Sequence, residues 1–245
     1  MDERLKQIAE NFDNMKIGLD DPFSFSCNKC GKCCINRDDI LLSPLDLYRM
    51  SKKLNITPNE FVTQYGEAYI GDSSRMVIVR LKPQGSIKRC PLLKDRKCSV
   101  HDAKPTVCAM YPIGRAFRMD SKNSSSNTIS TENIEYIFNG AHCGNAEIHT
   151  VREWFDSFGI PIKDEFFVEW QKTITELHDI IVMAEKNFKK ESTMNTIWSV
   201  IYAAMYMKYD TNKEFMPQFL ANREEMLKIL SMIPEFYLRR KKHVR

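Results

Sequence analysis

Apolar residues recur along most of this chain at helical or strand spacing. Leu5, Ile8, Ala9, Phe12 and Met15 share one face of a helix over residues 3–16. Ser43-Pro44 supplies an N-cap and first helical residue, with Asp46 favourably placed in the first turn. The helix it opens carries Leu45, Leu47, Tyr48 and Leu54 and should end near Asn55. Thr57-Pro58-Asn59-Glu60 is a capping box and predicts another helix to about Tyr65. Short strands are expected at 40–42, 76–81, 113–119 and 133–138, and a link with Pro22, Phe23 and Phe25 covers 18–26. Residues 121–127 (SKNSSSN) read as a polar loop. Beyond Glu147 almost everything reads as helix, over 151–158, 163–188, 193–207 and 217–233. The expected fold class is α+β: a small region with short strands and helices, then a mostly helical C-terminal half. The corresponding division is 1–146 and 147–245, the second region packed on the first.

Cysteine defines the first region. Cys27-Asn28-Lys29-Cys30-Gly31-Lys32-Cys33-Cys34 holds four thiols in eight residues, and Cys90, Cys98, Cys108 and Cys143 follow. Lys94-Asp95-Arg96-Lys97 is a polar turn that would let Cys90 and Cys98 approach across a hairpin-like reversal. Pro105 would start a short helix with Cys108 in its first or second turn.

Redox compartment decides how these thiols are read. No run of about eighteen apolar residues exists to span a membrane. The first twenty residues are charged throughout and lack the apolar core and cleavage site of a secretory signal. A cytoplasmic address follows, where thiols stay reduced and clustered cysteines are ligands rather than disulfides. Scattered core cysteines would not stand at strict three-residue intervals.

Charge supports this reading. From Cys27 to Arg118 there are seventeen Lys or Arg against eight Asp or Glu, and nineteen against twenty-four elsewhere. Thiolate rather than thiol binds metal, and nearby cations lower a thiol's pKa. Lys29, Lys32, Arg37, Lys88, Arg89, Lys94, Arg96 and Lys97 are candidate counter-charges, with a solvated basic surface as the alternative for any one.

In C-x2-C-x2-C each three-residue step returns a sulfur towards one centre. Ferredoxin-type [4Fe–4S] sites use that run with a distant fourth cysteine. Zinc sites use C-x2-C pairs, closed by a second pair, as a tetrahedral four-thiolate site. Side chains of neighbours such as Cys33 and Cys34 diverge, so Cys34 is placed to serve a different ion. Eight thiols divide into two four-thiolate sites, or one cluster plus a zinc, and spacing leaves their assignment open. The candidate ligands are Cys27, Cys30, Cys33, Cys34, Cys90, Cys98, Cys108 and Cys143, with His101 and His142 in reserve.

The run CNKCGKCC, followed by CPLLKDRKCSVHDAKPTVCAMYP, resembles the YkgJ-type cysteine-cluster family, a zinc- or iron-chelating domain with a CxxCxxCC motif. The resemblance covers about Phe25 to Cys143. The family's Arg-Pro, Cys-Arg and aromatic-Pro pairs read here Lys104-Pro105, Cys108-Ala109 and Tyr111-Pro112, so the Arg is missing at 109. The resemblance implies metal chelation, with iron–sulfur and zinc both open. Flagellin lysine N-methylase is similar in this motif, which implies protein-lysine methyl transfer with S-adenosylmethionine as the alternative function.

Nothing else in the chain announces an enzyme. Neither G-x-G-x-x-G nor a P-loop occurs, nor G-x-S-x-G, H-E-x-x-H or C-x3-C-x2-C. Filled four-thiolate sites leave no open coordination position, which favours a structural or electron-transfer role. Seven of the thirteen methionines lie between Met183 and Met232 at helical spacing and read as core rather than copper ligands. The basic tail 239–245 reads as a solvated end, and basic residues elsewhere are not interleaved with aromatics as in a single-strand binder. The expected function is a metal-binding accessory or redox module with a protein partner.

Overall fold

The computed structural model describes residues 3–117, 129–187 and 191–233. In chain order the elements are α1 (Glu3–Met15), β1 (Pro22–Ser26), α2 (Pro44–Leu54), α3 (Pro58–Tyr65), β2 (Gly66–Ile70), β3 (Val77–Leu81), β4 (Leu93–Lys94) and β5 (Lys97–Cys98). They continue with α4 (Thr106–Met110), β6 (Ile113–Phe117), β7 (Ile134–Phe138), β8 (Asn145–Thr150), α5 (Val151–Asp156), α6 (Glu165–Asn187), α7 (Glu191–Tyr202) and α8 (Phe215–Ser231). The strands form separate antiparallel ribbons, β1–β8, β2–β3, β4–β5 and β6–β7. The fold class is α+β, with helices filling the C-terminal half. Among the described residues no helix is long and apolar enough to cross a membrane. The expected loop at 121–127 and the basic tail at 239–245 lie outside the described residues.

By internal contacts the chain forms two units, each from two segments: Met1–Ile40 with Pro83–Gln171, and Leu41–Lys82 with Lys172–Arg245. All eight cysteines belong to the first.

The first unit is built on aromatic residues. Phe23, Phe25, Met110, Ile113, Tyr136, Val151, Trp154, Phe155 and Ile160 form its buried core. The link expected at 18–26 is in fact strand β1: Phe23 and Phe25 point inward while Pro22 and Ser24 face out, the period of two that a strand requires. Its partner β8 carries exposed side chains, Ile148 at 71%, so no apolar alternation marks it in the sequence. Trp154 on α5 ties three elements together. Its Nε1–H donates to the carbonyl oxygen of Met110 at 3.2 Å, and its ring meets Phe25 edge-on at 5.3 Å.

The second unit packs α2, α3, α7 and α8 with the β2–β3 ribbon. The N-caps of α2 and α3 are as expected, Ser43 with Asp46 and Thr57 with Glu60 closing reciprocal capping boxes. The short strand expected at 40–42 reduces here to a bridge from Leu41 to Arg80 and a bond from the Leu42 N–H to the Val79 carbonyl oxygen at 2.8 Å. Met194, Met205 and Met226 are buried among Ile197, Ile201, Phe219 and Leu230, as adaptable core residues. Residues Ala203–Met207 form a π-helical turn that ends the run after α7.

Candidate metal centre

The octet folds as a series of tight turns. Asn28 opens it, its Oδ1 accepting from the N–H of Cys30 at 3.3 Å in an Asx turn. Lys29 and Gly31 then take left-handed conformations, φ 56° and 74°, and residues Lys32–Cys34 close a 3-10 turn through a bond from the Cys34 N–H to the Gly31 carbonyl oxygen at 3.0 Å. Gly31 is required twice over. Its φ favours glycine, and a Cβ there would lie 3.1 Å from the Arg96 carbonyl oxygen and 3.2 Å from Leu93 Cδ1. The octet therefore sits directly against the β4–β5 hairpin.

That hairpin is the reversal expected between Cys90 and Cys98. Leu93 pairs with Cys98 and Lys94 with Lys97, while Asp95 and Arg96 take φ 48° and 63°. Two successive positive φ values are the signature of a type I′ turn. The Leu93 N–H donates to the Cys90 carbonyl oxygen at 3.1 Å and the Ser99 N–H to that of Leu92 at 2.9 Å. Cys90 and Cys98 thus leave one rigid knuckle. Its base is joined to the octet: the Cys90 N–H donates to the Cys34 carbonyl oxygen at 2.8 Å, and Asn36 and Arg37 donate to the carbonyls of Ile87 and Lys88.

Cys108 lies on α4, which Pro105 opens as expected, with the Cys108 N–H bonded to the Pro105 carbonyl oxygen at 2.8 Å. Cys143 approaches from the far side. Pairing of Ser26 with Asn145 brings the end of β1, and so Cys27, beside the segment that carries Cys143. Gly144 makes this approach feasible, since at φ 98° a Cβ would fall 2.5 Å from Phe25 Cε2 and 2.6 Å from the Ser26 carbonyl oxygen. Tyr111 anchors the same loop, its hydroxyl accepting from the His142 N–H at 2.8 Å.

The eight thiols form one electrostatic patch and none is in a disulfide. The thiols act on one another electrostatically: Cys34 on Cys33, Cys90 on Cys34, and Cys33, Cys30 and Cys27 on Cys143. Among the described residues no three Cys, His, Asp or Glu side chains are set as a ready-formed metal cage. The donor chemistry nevertheless fits zinc or iron. Thiolates are soft ligands, the type that binds zinc and iron–sulfur clusters.

The thiols oppose one another's ionisation. The hydrogen bond to Cys34, burial and the Cys34 charge push Cys33 far up. Cys34 gains from the hydrogen bond with Cys33, but its bond to Cys90 and burial outweigh this and push it up to about 12. Burial takes Cys108 up to about 12 and Cys143 up to about 11, and raises Cys98. Cys90 moves down, chiefly through its interaction with Cys34. A bound cation relieves this repulsion and must displace the protons.

Two cations work against it. Arg37, of the eight expected counter-charges, is half-buried, holds Asp39 at 2.6 Å and acts on Cys33 and Cys108. The second was missing from the sequence reading. Lys104 is 8% exposed, stands 4.0 Å from the Phe158 ring centroid, and favours the thiolates of Cys33, Cys98 and Cys108. Its near-complete burial would have been the signal, but burial is not visible in sequence. Lys32, Lys94, Arg96 and Lys97 are exposed, and Lys88 pairs with Asp38. Of the reserve ligands, His101 is half-buried beside Phe158, held below its ordinary pKa by burial and by Lys104 and Lys29, whereas His142 is exposed. A cavity of about 360 Å³ adjoins the patch, lined by Ser26, Cys27, His101, Asp102, Trp154 and Phe158.

A cluster of soft thiol donors with counter-cations on an α+β scaffold defines a chelator of zinc or iron. Residues 26–133 match the model of the CxxCxxCC family, described as a "putative zinc- or iron-chelating domain". Seven of the eight cysteines lie within the match, and Cys143 lies beyond it. No curated protein and no solved structure matches the chain.

Proposed function

We propose that this chain is a cytoplasmic metal-binding protein whose eight cysteines hold an iron–sulfur cluster, zinc, or one of each, and that it serves another protein as an accessory or redox module. What supports the reading is that all eight cysteines are free and lie in one unit, with the Cys34 backbone hydrogen-bonded to that of Cys90 at the base of the β4–β5 knuckle and the segment of Cys143 paired beside Cys27. Thiolate ligands suit zinc and iron–sulfur clusters alike. All-cysteine coordination leaves no open position for Lewis-acid chemistry.

Anaerobic purification followed by absorption spectroscopy and metal analysis tests this. A brown protein with a broad band at roughly 400 nm identifies [4Fe–4S]. A colourless protein carrying zinc identifies the alternative metal. A chain that retains neither metal overturns the proposal.

The cavity beside Cys27 and His101 favours a second reading, a protein-lysine N-methyltransferase with the metal centre at its substrate site. Calorimetry with S-adenosylmethionine on the metal-loaded chain decides it. Binding supports the enzyme, and its absence leaves the accessory role.

A further inference from the structure

The backbone divides the eight cysteines in a way that spacing leaves open. Cys33 and Cys34 are consecutive residues of a 3-10 turn, whose three residues per turn rotate neighbouring side chains about 120° apart. They start from one point and leave the backbone in different directions. On one side, Cys27 and Cys30 precede Cys33 at the regular three-residue interval. The β1–β8 register, which pairs Ser26 with Asn145, brings Cys143 to the same end, beside Cys27. On the other side, the Cys34 carbonyl oxygen accepts the Cys90 N–H at 2.8 Å, which joins Cys34 to the base of the knuckle. The Leu93–Cys98 pair then fixes Cys98 on the same knuckle as Cys90, and Cys108 on α4 completes the set.

We propose that the chain holds two separate four-thiolate centres, one from Cys27, Cys30, Cys33 and Cys143 and the other from Cys34, Cys90, Cys98 and Cys108, meeting at the Cys33–Cys34 peptide. The inference rests on the metal-chelation reading above and specifies its sites. It also explains where the buried cations stand. Each filled centre is formally dianionic with a divalent ion, so two adjacent centres repel. Arg37 and Lys104 both act on Cys33 and on Cys108, one thiol from each set, so their charge serves both centres. Cys98 also faces Cys33 and Cys27 across this seam. Its covalent and hydrogen-bonded support, however, comes from the knuckle it shares with Cys90.

Cadmium, a spectroscopically active thiophilic ion, provides the test in the full chain. The metal-free chain is loaded with cadmium alone, and through-bond correlations are recorded from each cadmium nucleus to cysteine β-protons. Two cadmium resonances are expected. One should correlate only with Cys27, Cys30, Cys33 and Cys143, the other only with Cys34, Cys90, Cys98 and Cys108. A single resonance, a cysteine correlated with both ions, or one correlated with the wrong ion overturns the division while leaving chelation intact. A chain that takes up no cadmium overturns the chelation reading with it. Variants Cys143→Ser and Cys108→Ser supply the second measurement: each should halve cadmium uptake and remove a different resonance. Loss of the same resonance from both would also overturn the division.

Discussion

The backbone N–H of Cys90 donates to the carbonyl oxygen of Cys34 at 2.8 Å, and the thiols of the same two residues act on each other's ionisation. Main chain and side chain therefore make the same long-range connection, octet to knuckle. In a thiol-rich core of this kind metal binding is folding free energy. Cys90→Ser should lower metal content and melting temperature together. A loss of about 3 kcal/mol corresponds to a fall of roughly 10 °C for a chain of this size. Metal analysis beside a thermal melt checks it, and an unchanged melting temperature at full metal content would remove Cys90 from the ligand set.

Lys104 is expected to set the pH at which metal enters. Its ammonium favours the thiolates of Cys33, Cys98 and Cys108, so Lys104→Met should raise all three pKa values. Protons then compete better, and the midpoint of zinc uptake moves to higher pH. The lost cation–π contact with Phe158 should cost about 0.5–2 kcal/mol as well. Lys104→Arg keeps the charge and should leave the uptake midpoint close to that of the parent chain. A titration of zinc uptake across pH for the three proteins decides this, and coincident curves would exclude the role.

Much of this was legible because local chemistry and final structure agree. Ser43-Pro44 and Thr57-Pro58 cap the helices they announce, the polar turn before Cys98 makes the hairpin, and Pro105 opens the helix of Cys108. What escaped depends on partners distant in sequence. β8 exists because β1 pairs with it, and with Ile148 exposed it carries no alternation of its own. Lys104 reads as one more lysine until α5 brings Phe158 over it. The interleaving of Leu41–Lys82 with the C-terminal helices leaves no mark in composition, because contacts rather than residue types define it.

Gly144 should be intolerant of any side chain. At φ 98° an added Cβ would meet Phe25 and the Ser26 carbonyl oxygen inside 3 Å, and both belong to the wall that holds Cys27. Gly85 provides the comparison. Its φ of 65° is also left-handed, but nothing lies within 4 Å of an added Cβ. Gly85→Ala should cost only the conformational penalty, about 1–2 kcal/mol. Gly144→Ala should cost more and also lower metal content, because relief of the clash displaces Cys143. Chemical denaturation with metal analysis separates the two, and equal losses would contradict the assignment.

The N-terminus of α5 should carry an acid-sensitive contribution. Glu153 accepts from the Thr150 N–H at 2.8 Å, and this bond, then that from the Thr150 hydroxyl, holds its carboxyl below the ordinary glutamate value. A folded-state pKa depressed in this way gives stability that is present above the unfolded value, near 4.3, and lost as pH falls through the lower folded one. Glu153→Gln should abolish that part of the acid dependence. Carboxyl titration by NMR, read beside the α5 amide signals, checks it. A Glu153 that titrates at the unfolded value would contradict the capping role.

Arg115 and Asp164 form a pair whose side chains are only 9% and 7% exposed, with Arg115 Nη1 2.7 Å from Asp164 Oδ2. Each also has a second task. Asp164 Oδ1 accepts from the Phe167 N–H at 2.9 Å at the start of α6, and the Arg115 guanidinium lies 3.9 Å from the Phe167 ring centroid. Removing one partner strands the other charge, so Arg115→Met should cost about 3–5 kcal/mol. Asp164→Ala should cost as much, since it loses the helix cap in addition. The double variant Arg115→Met/Asp164→Ala leaves no stranded charge and should be clearly more stable than the sum of the single effects predicts. Denaturant unfolding of all four proteins closes the cycle. Additivity within about 0.5 kcal/mol would mean that the two charges are not coupled.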